Sequence, residues 1–342
     1  MPRLGIGISL ARSRSSSAPS ATIAITDLGA RYVLVPGDLE CTVTGAVDHV
    51  VWSYDVGAGE VEIESVAAAP WTTHDWTPPS AVATTVWARS YNASDVQIAE
   101  ASAVVTVGAL TLELCIQDGT IVWLYDAEYG VVASGGYVTS WTPKVCVGGG
   151  AADVLIPTAG QDPVSNATDA EFGGRPSVER TTQGFLRSTT PASAVTVAQP
   201  HTVIDICKTP PATPTGDAYL YDSASTGYRG AVWRSSNTWS ASAGTAWNTG
   251  LAMSAATPLM SLARHESTSS TLKTRTNAGV AASAGPGNAG TNSMRGLALF
   301  GAYSSIGLAI GKRTAIMCVA GTLSAADEAR LLWWHQNVLG WS

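Results

Sequence analysis

Between Ala21 and Val107 the chain meets a turn signal about every ten residues, and each interval alternates β-branched or aromatic residues with polar ones. The runs are ATIAITD, RYVLVPGD, LECTVTG, HVVWSYDV, VEIESVA, TTVWARSYN and IAEASAVVTV. Period-two alternation with this punctuation is the pattern of antiparallel strands with one face buried. The remainder, from about Leu110, is equally turn-rich, so the whole chain is expected to be all-β up to its last twenty or so residues.

Those residues, TLSAADEARLLWWHQNVLGWS, carry the one clear helix. Ser324 is a good N-cap, and Asp327 three residues on completes the capping-box spacing. Ala325, Ala326, Ala329, Arg330, Leu331 and Leu332 are strong helix formers, and Gly340 stands where a glycine ends a helix. The spacing predicts a helix over 324–339. At ~100° per residue Leu331, Trp334, Val338 and Leu339 share one face, which places Trp334 in a core. Trp333 points the other way, toward Arg330 and Asn337.

The 342 residues suffice for two or three domains. Charged residues are 13%, well below the usual quarter, and mean hydropathy is +0.14, which excludes a disordered chain. Such a surface suits uncharged polar groups and contact with other proteins. A net charge of −7, with no basic stripe beyond the N-terminal arginines, argues against nucleic acid as the partner. No run reaches the roughly 20 apolar residues of a membrane span.

The five cysteines (Cys41, Cys115, Cys146, Cys207, Cys318) are dispersed and mostly set in apolar runs, as free buried thiols are. A disulfide is compatible with the sequence, but nothing requires one. No Cys/His spacing suggests zinc, and no metal or cofactor signature is present. The N-terminus, MPRLGIGISLARSRSSSAPSA, has its arginines Arg12 and Arg14 after the apolar run, the reverse of a signal peptide's order. The other reading of residues 1–20 is an extended anchoring arm. In it Leu4, Ile6, Ile8 and Leu10 alternate as in a strand and dock on another subunit.

Cys41 and Trp52 fall on successive strands. Residues 21–108 resemble an immunoglobulin-like sandwich, in which a B-strand cysteine is followed by a core tryptophan on strand C. The later strand, ATTVWARSYNAS, offers Trp87 and no second cysteine. The resemblance thus implies a core filled by Trp52 and Trp87 without the intersheet disulfide.

In the second part, LTLELCIQDGTIVWLYD reads as two strands about the Asp118-Gly119 turn. Trp123, Leu124, Asp126 and Ala127 follow, then Ser140, Trp141 and Lys144, the turn Gly174-Arg175-Pro176, the strand HTVIDICK and the closing strand and helix. In these features residues 109–342 resemble concanavalin A-like, laminin-G-like domains of phages and bacteria. The resemblance implies a two-sheet jelly roll braced by its terminal helix. Ser267 to Met294, rich in Ser, Thr, Asn and Gly, reads as long loops.

Glucanases of this fold are similar to one another in a strand that sets two carboxyls on one face; a retaining pair lies about 5–5.5 Å apart. No such spacing occurs here. The nearest pairs, Asp126/Glu128 and Asp169/Glu171, read as solvated turn residues, and Glu60, Glu62 and Glu64 as a solvated strand face. No nucleophile elbow, P-loop or dinucleotide fingerprint is present, so the chain reads as non-enzymatic. A sugar site needs a flat aromatic face beside neutral hydrogen-bonding groups. Tyr219, Tyr221 and Trp233 read as core. Trp239 and Trp247, with Asn237, Asn248 and Ser240, stand in small polar surroundings and form the candidate carbohydrate site.

Arm, immunoglobulin-like sandwich and lectin-like jelly roll together resemble accessory structural proteins of tailed phages: head decorations, collar or baseplate components, tail fibres. The resemblance implies a virion protein assembled in the host cytoplasm. Its partners would be capsid, collar or tail subunits and a host-surface glycan, and it would be homo-oligomeric on the particle. The alternative is a bacterial extracellular carbohydrate-binding or adhesin module.

Overall fold

The computed structural model describes residues 21–27, 31–73, 76–158, 163–181, 184–211, 217–302 and 309–342. The anchoring residues Leu4, Ile6, Ile8 and Leu10 lie outside them. The described chain is all-β, with sandwich-type sheets and one α-helix near its C-terminal end. It divides into two compact units, one running to Ala109 and the other spanning Leu110–Ser342.

In the first unit, strands Thr22–Asp27, Glu40–Thr44 and Trp71–Thr72 form one sheet. Arg31–Tyr32, Gln97–Gly108, Ala83–Tyr91, His49–Asp55 and Val61–Val66 form the other, in that order. Cys41, Val50, Trp52, Val86, Ala88, Val105 and Val107 are buried, and Trp52 has no exposed surface. Cys41 is a free thiol, as are the other four cysteines.

Trp87 departs from expectation. On Ala83–Tyr91 the inward residues are Thr84, Val86, Ala88 and Ser90. Strand alternation therefore turns Trp87 outward, where the Arg89 guanidinium lies 5.6 Å from its ring centre. Arg89 also binds the carboxylates of Glu60 and Glu100, so Glu60 belongs to an ion-pair network rather than to a bare solvated face.

In the second unit one sheet runs Thr120–Asp126, Gly311–Ala320, His201–Lys208, Pro258–His265, Ser270–Thr276, Ala281–Gly287, all antiparallel. The facing sheet runs from Ala246–Ala252 through Thr238–Ser242, Ala231–Ser235 and Ala218–Asp222 to Ala298–Leu299, Leu186–Ser188 and Leu155–Pro157. Between them lies a core of Trp123, Tyr125, Trp141, Val203, Leu259, Leu272, Leu220, Val232, Trp239, Leu299 and Ile316. Arg313 and Asp205 form a two-pronged ion pair in this interior, at 2.5 and 2.7 Å. Both partners are buried, so their charges are satisfied by one another rather than by water.

The helix spans Ala325–Asn337, with the Ser324 side chain accepting from the Asp327 amide as the capping spacing required. Leu331 and Trp334 are buried, and Gly340 has φ +67°. Two expectations fail nearby. Residues 110–116 do not pair as a strand: Glu113–Cys115 is a 3-10 turn, and Leu110, Leu112 and Cys115 are buried. The Asp327 carboxylate takes the amides of Gln117 and Asp118, and Arg330 Nε donates to the Cys115 carbonyl. These backbone groups are satisfied by the helix instead of by a neighbouring strand. Residues 267–294 are not mainly loop either, because strands Ser270–Thr276 and Ala281–Gly287 lie in them. Leu272, facing the core, anchors the first. The second, AASAGPG, is a largely exposed strand on which composition leaves no hydrophobic alternation to read.

Candidate functional site

The residues that carry the sequence resemblance converge on the helix. Asp126 ends the strand Thr120–Asp126 and is 2% exposed. Arg175, from the Gly-Gly-Arg-Pro turn, donates from Nη2 to both Asp126 oxygens, at 2.9 and 3.1 Å. Its guanidinium also reaches Glu128 at 3.1 Å and lies 5.1 Å from the centre of the Trp334 ring. The Trp141 indole donates to the Asp126 carbonyl, and Lys144 pairs with Glu113. These residues hold the structure together.

The carboxylate pairs read as solvated are in fact engaged. Burial alone would raise Asp169, but the Ser177 hydroxyl, the Glu171 amide and the Lys312 ammonium outweigh it and hold it below the usual carboxylate range. Glu171 is likewise lowered against its burial, by Lys208 and Lys312. A glycosidase acid needs the opposite, a carboxyl raised so that it keeps a proton near neutrality. Among the described residues no group of three or more His, Cys, Asp or Glu could hold a metal ion, and no helix is long and apolar enough to cross a membrane.

The five candidate sugar-site residues do not assemble. Neighbours on a strand point to opposite faces, so Trp239 cannot share a surface with Ser240, nor Trp247 with Asn248. Trp239, 1% exposed, stands in the sandwich core. The two-residue turn at Ser236 and Asn237 sets its register opposite Arg234 and thereby turns it inward. Trp247 packs half-buried against that core, its ring close to Gly287, where a Cβ would lie 2.1 Å from Cε2. Ser240 is buried, on the face of Trp233 and Asn248, its direct cross-strand partners. Asn237 and Asn248 are exposed, but Asn237 Oδ1 accepts from Arg234 Nη2. Of the aromatics read as core, Tyr221 and Trp233 are buried, while Tyr219 is half-buried and stacks on Trp233 at 5.2 Å.

A different cluster gathers about the loop from Asp222 to Arg229. Arg295 lies 3.9 Å over the centre of the Tyr228 ring. Arg229 pairs with the buried Asp222 at 3.5 Å, donates from Nη2 to the Tyr219 hydroxyl and lies 5.5 Å from that ring. Arg187 donates from Nε and Nη2 to the Ala224 carbonyl, at 3.1 and 2.6 Å. The Ser223 hydroxyl and the Ala224 amide both donate to the Arg295 carbonyl, which fixes its strand beside the loop. Tyr219, Tyr228, Arg187, Arg229 and Arg295 are all half-buried. The sequence reading missed this cluster: it put Tyr219 in the core, and the arginines stand too far apart along the chain for spacing to unite them.

A separate groove of about 520 Å³ runs between the helix and the outer face of the first sheet. Met260, Leu262, Ala282 and Leu332 line it, and the Lys273–Glu328 ion pair crosses it at 2.6 Å.

No protein-family model and no curated protein matches the chain. Among solved structures, domain 4 of AbnA, an extracellular arabinanase of Geobacillus stearothermophilus solved with arabinotriose, aligns at 9% identity. That alignment covers 63% of this chain and 99% of the domain, with a TM-score of 0.39. The binding domain of botulinum neurotoxin serotype G aligns at 9% identity over 64% of this chain and 51% of its own length, TM-score 0.40. A Trypanosoma rangeli sialidase aligns at 11% identity over 73% of this chain and 42% of its own, TM-score 0.36. At these scores the likenesses carry no argument about what this chain does.

Proposed function

We propose that the chain is a non-enzymatic attachment protein whose second sandwich holds a glycan at the Tyr219–Tyr228 cluster. The observation that carries this reading is the pairing of two half-buried tyrosine rings with guanidinium groups about the loop from Asp222 to Arg229. Aromatic faces stack on sugar rings, and the adjoining polar groups take hydroxyls. Against hydrolysis stands the engagement of the nearest carboxylate pairs, each ion-paired with Arg or Lys. One such site would bind with Kd on the order of 1 mM, so useful attachment rests on many copies. A glycan array with multivalent protein tests it: Tyr219→Ala/Tyr228→Ala should abolish binding. Retained binding by that variant sinks the site.

Within this reading the protein is a phage virion component, a head decoration, collar, baseplate or tail-fibre subunit, and residues 1–20 anchor it to neighbouring subunits. The three-part order of the sequence and the lectin-like motifs support it, as does the alternation of Leu4, Ile6, Ile8 and Leu10. Deleting residues 2–18 should abolish incorporation into particles while both sandwiches stay folded. Normal incorporation of the truncated chain would refute the anchor.

A further inference from the structure

We infer that the sugar held at the Tyr219–Tyr228 cluster is anionic, a saccharide bearing a carboxylate or a sulfate. This rests on the glycan reading above and adds to it the charge of the ligand. The key contrast is in ion pairing. Arg89, Arg175, Lys208, Lys312, Arg313 and Arg330 each bind a carboxylate. Arg187 and Arg295 bind none among the described residues, and both stand at this loop. Arg229 is matched by Asp222, so two guanidiniums flank the loop with no acidic side chain paired to them among the described residues.

Both guanidiniums are held in place by groups that do not neutralise them. Arg295 stacks on Tyr228, donates from Nε to the Thr196 hydroxyl at 2.8 Å and from Nη1 to the Ala192 carbonyl at 3.5 Å. Its Nη2 makes no bond among the described residues. Arg187 donates from Nε and Nη2 to the Ala224 carbonyl, and its Nη1 makes no bond among the described residues. A stacked, carbonyl-tethered guanidinium has already lost the rotamer freedom that binding would otherwise cost, and its remaining N–H groups match the planar oxygens of an oxyanion. A neutral sugar closing over this surface would strip water from two charges and give them no counter-charge.

The experiment titrates the full chain with three oligosaccharides of equal length, one neutral, one uronate and one sulfated, at low and high salt. It is repeated with Arg187→Gln/Arg295→Gln and with Arg295→Lys, each checked for an unchanged melting curve. The expected result is roughly tenfold tighter binding of an anionic series than of the neutral one, weakened by salt. The double variant should remove that preference, and Arg295→Lys should keep part of it. Uronate over sulfate, or the reverse, identifies the group. Equal binding of neutral and anionic sugars, or a preference that survives the double variant, overturns the charge assignment while the glycan reading stands. Failure of every glycan to bind multivalent protein overturns both.

Discussion

The guanidinium of Arg175 lies 5.1 Å from the centre of the Trp334 ring while holding both carboxylate oxygens of Asp126. One side chain thus joins the first long strand of the second unit, a turn 49 residues beyond Asp126 and the helix near the C-terminal end. The Trp-Leu-x-Asp and Gly-Arg-Pro segments are separated in sequence because they are the two ends of this brace.

Replacing Arg175 with Leu should cost about 3–5 kcal/mol, since Asp126 would stay buried without its counter-charge. Adding Asp126→Asn should recover part of the loss. Urea unfolding of the three variants measures it. A loss below about 1 kcal/mol for Arg175→Leu would show that the pair is not a brace.

In the first unit the two tryptophans should separate cleanly. Trp52→Ala empties a fully buried site and should cost about 3–5 kcal/mol; Trp87→Ala, on the outer face, should cost under about 1 kcal/mol. Equal losses in denaturant melts would contradict the placement of Trp87.

Gly287→Ala should unseat Trp247. Its added Cβ would meet the indole at 2.1 Å from Cε2, and a planar ring between strands has little room to yield. The expected readout is a red shift in tryptophan fluorescence with little change in far-UV circular dichroism. An unshifted spectrum would mean that the ring accommodates the methyl.

Acid should destabilise the second unit between pH 6.5 and 4. Burial pushes His201 down to about 4, against a backbone hydrogen bond, and His335 also to about 4, with Arg275 adding to the effect. His265, its ring tilted against that of His201 at 5.1 Å, is also held low, by burial and by His201. Between pH 6.5 and 4 the unfolded chain binds protons that the folded chain refuses, so stability falls as pH falls, by roughly 3 kcal/mol for each of His201 and His335. Stability should be complete above pH 6.5. A flat midpoint from pH 7 to 4.5 in a series of melts would exclude neutral buried imidazoles.

The helix, its cap and Trp52 were legible because each rests on local chemistry: a side chain capping an amide, or one alternation within one strand. Trp239 and Trp247 were not, since a strand's parity is set by the turn before it. The turn at Ser236 and Asn237 faces Arg234 with Trp239 and so sends the indole inward. Residues 110–116 failed for another reason. Their period-two pattern is real, with Leu110 and Leu112 buried, yet the groups that satisfy the backbone beyond them, Asp327 and Arg330, come from the distant helix. The Arg187–Arg295 cluster is of the same kind, assembled wholly by topology.

The strand Gly311–Ala320 sits in the interior of its sheet, with Thr120 opposite Ala320 on one side and His201 opposite Ala320 on the other. During synthesis the strands Thr120–Asp126 and His201–Lys208 therefore emerge long before the segment that joins them, each with an unpaired apolar flank. The sheet closes only after residue 320 has left the ribosome, across loops whose closure entropy must be met before any of these contacts forms. Such a topology makes folding a late, concerted event, and it makes the nascent second unit the stage at which this protein is most exposed to aggregation.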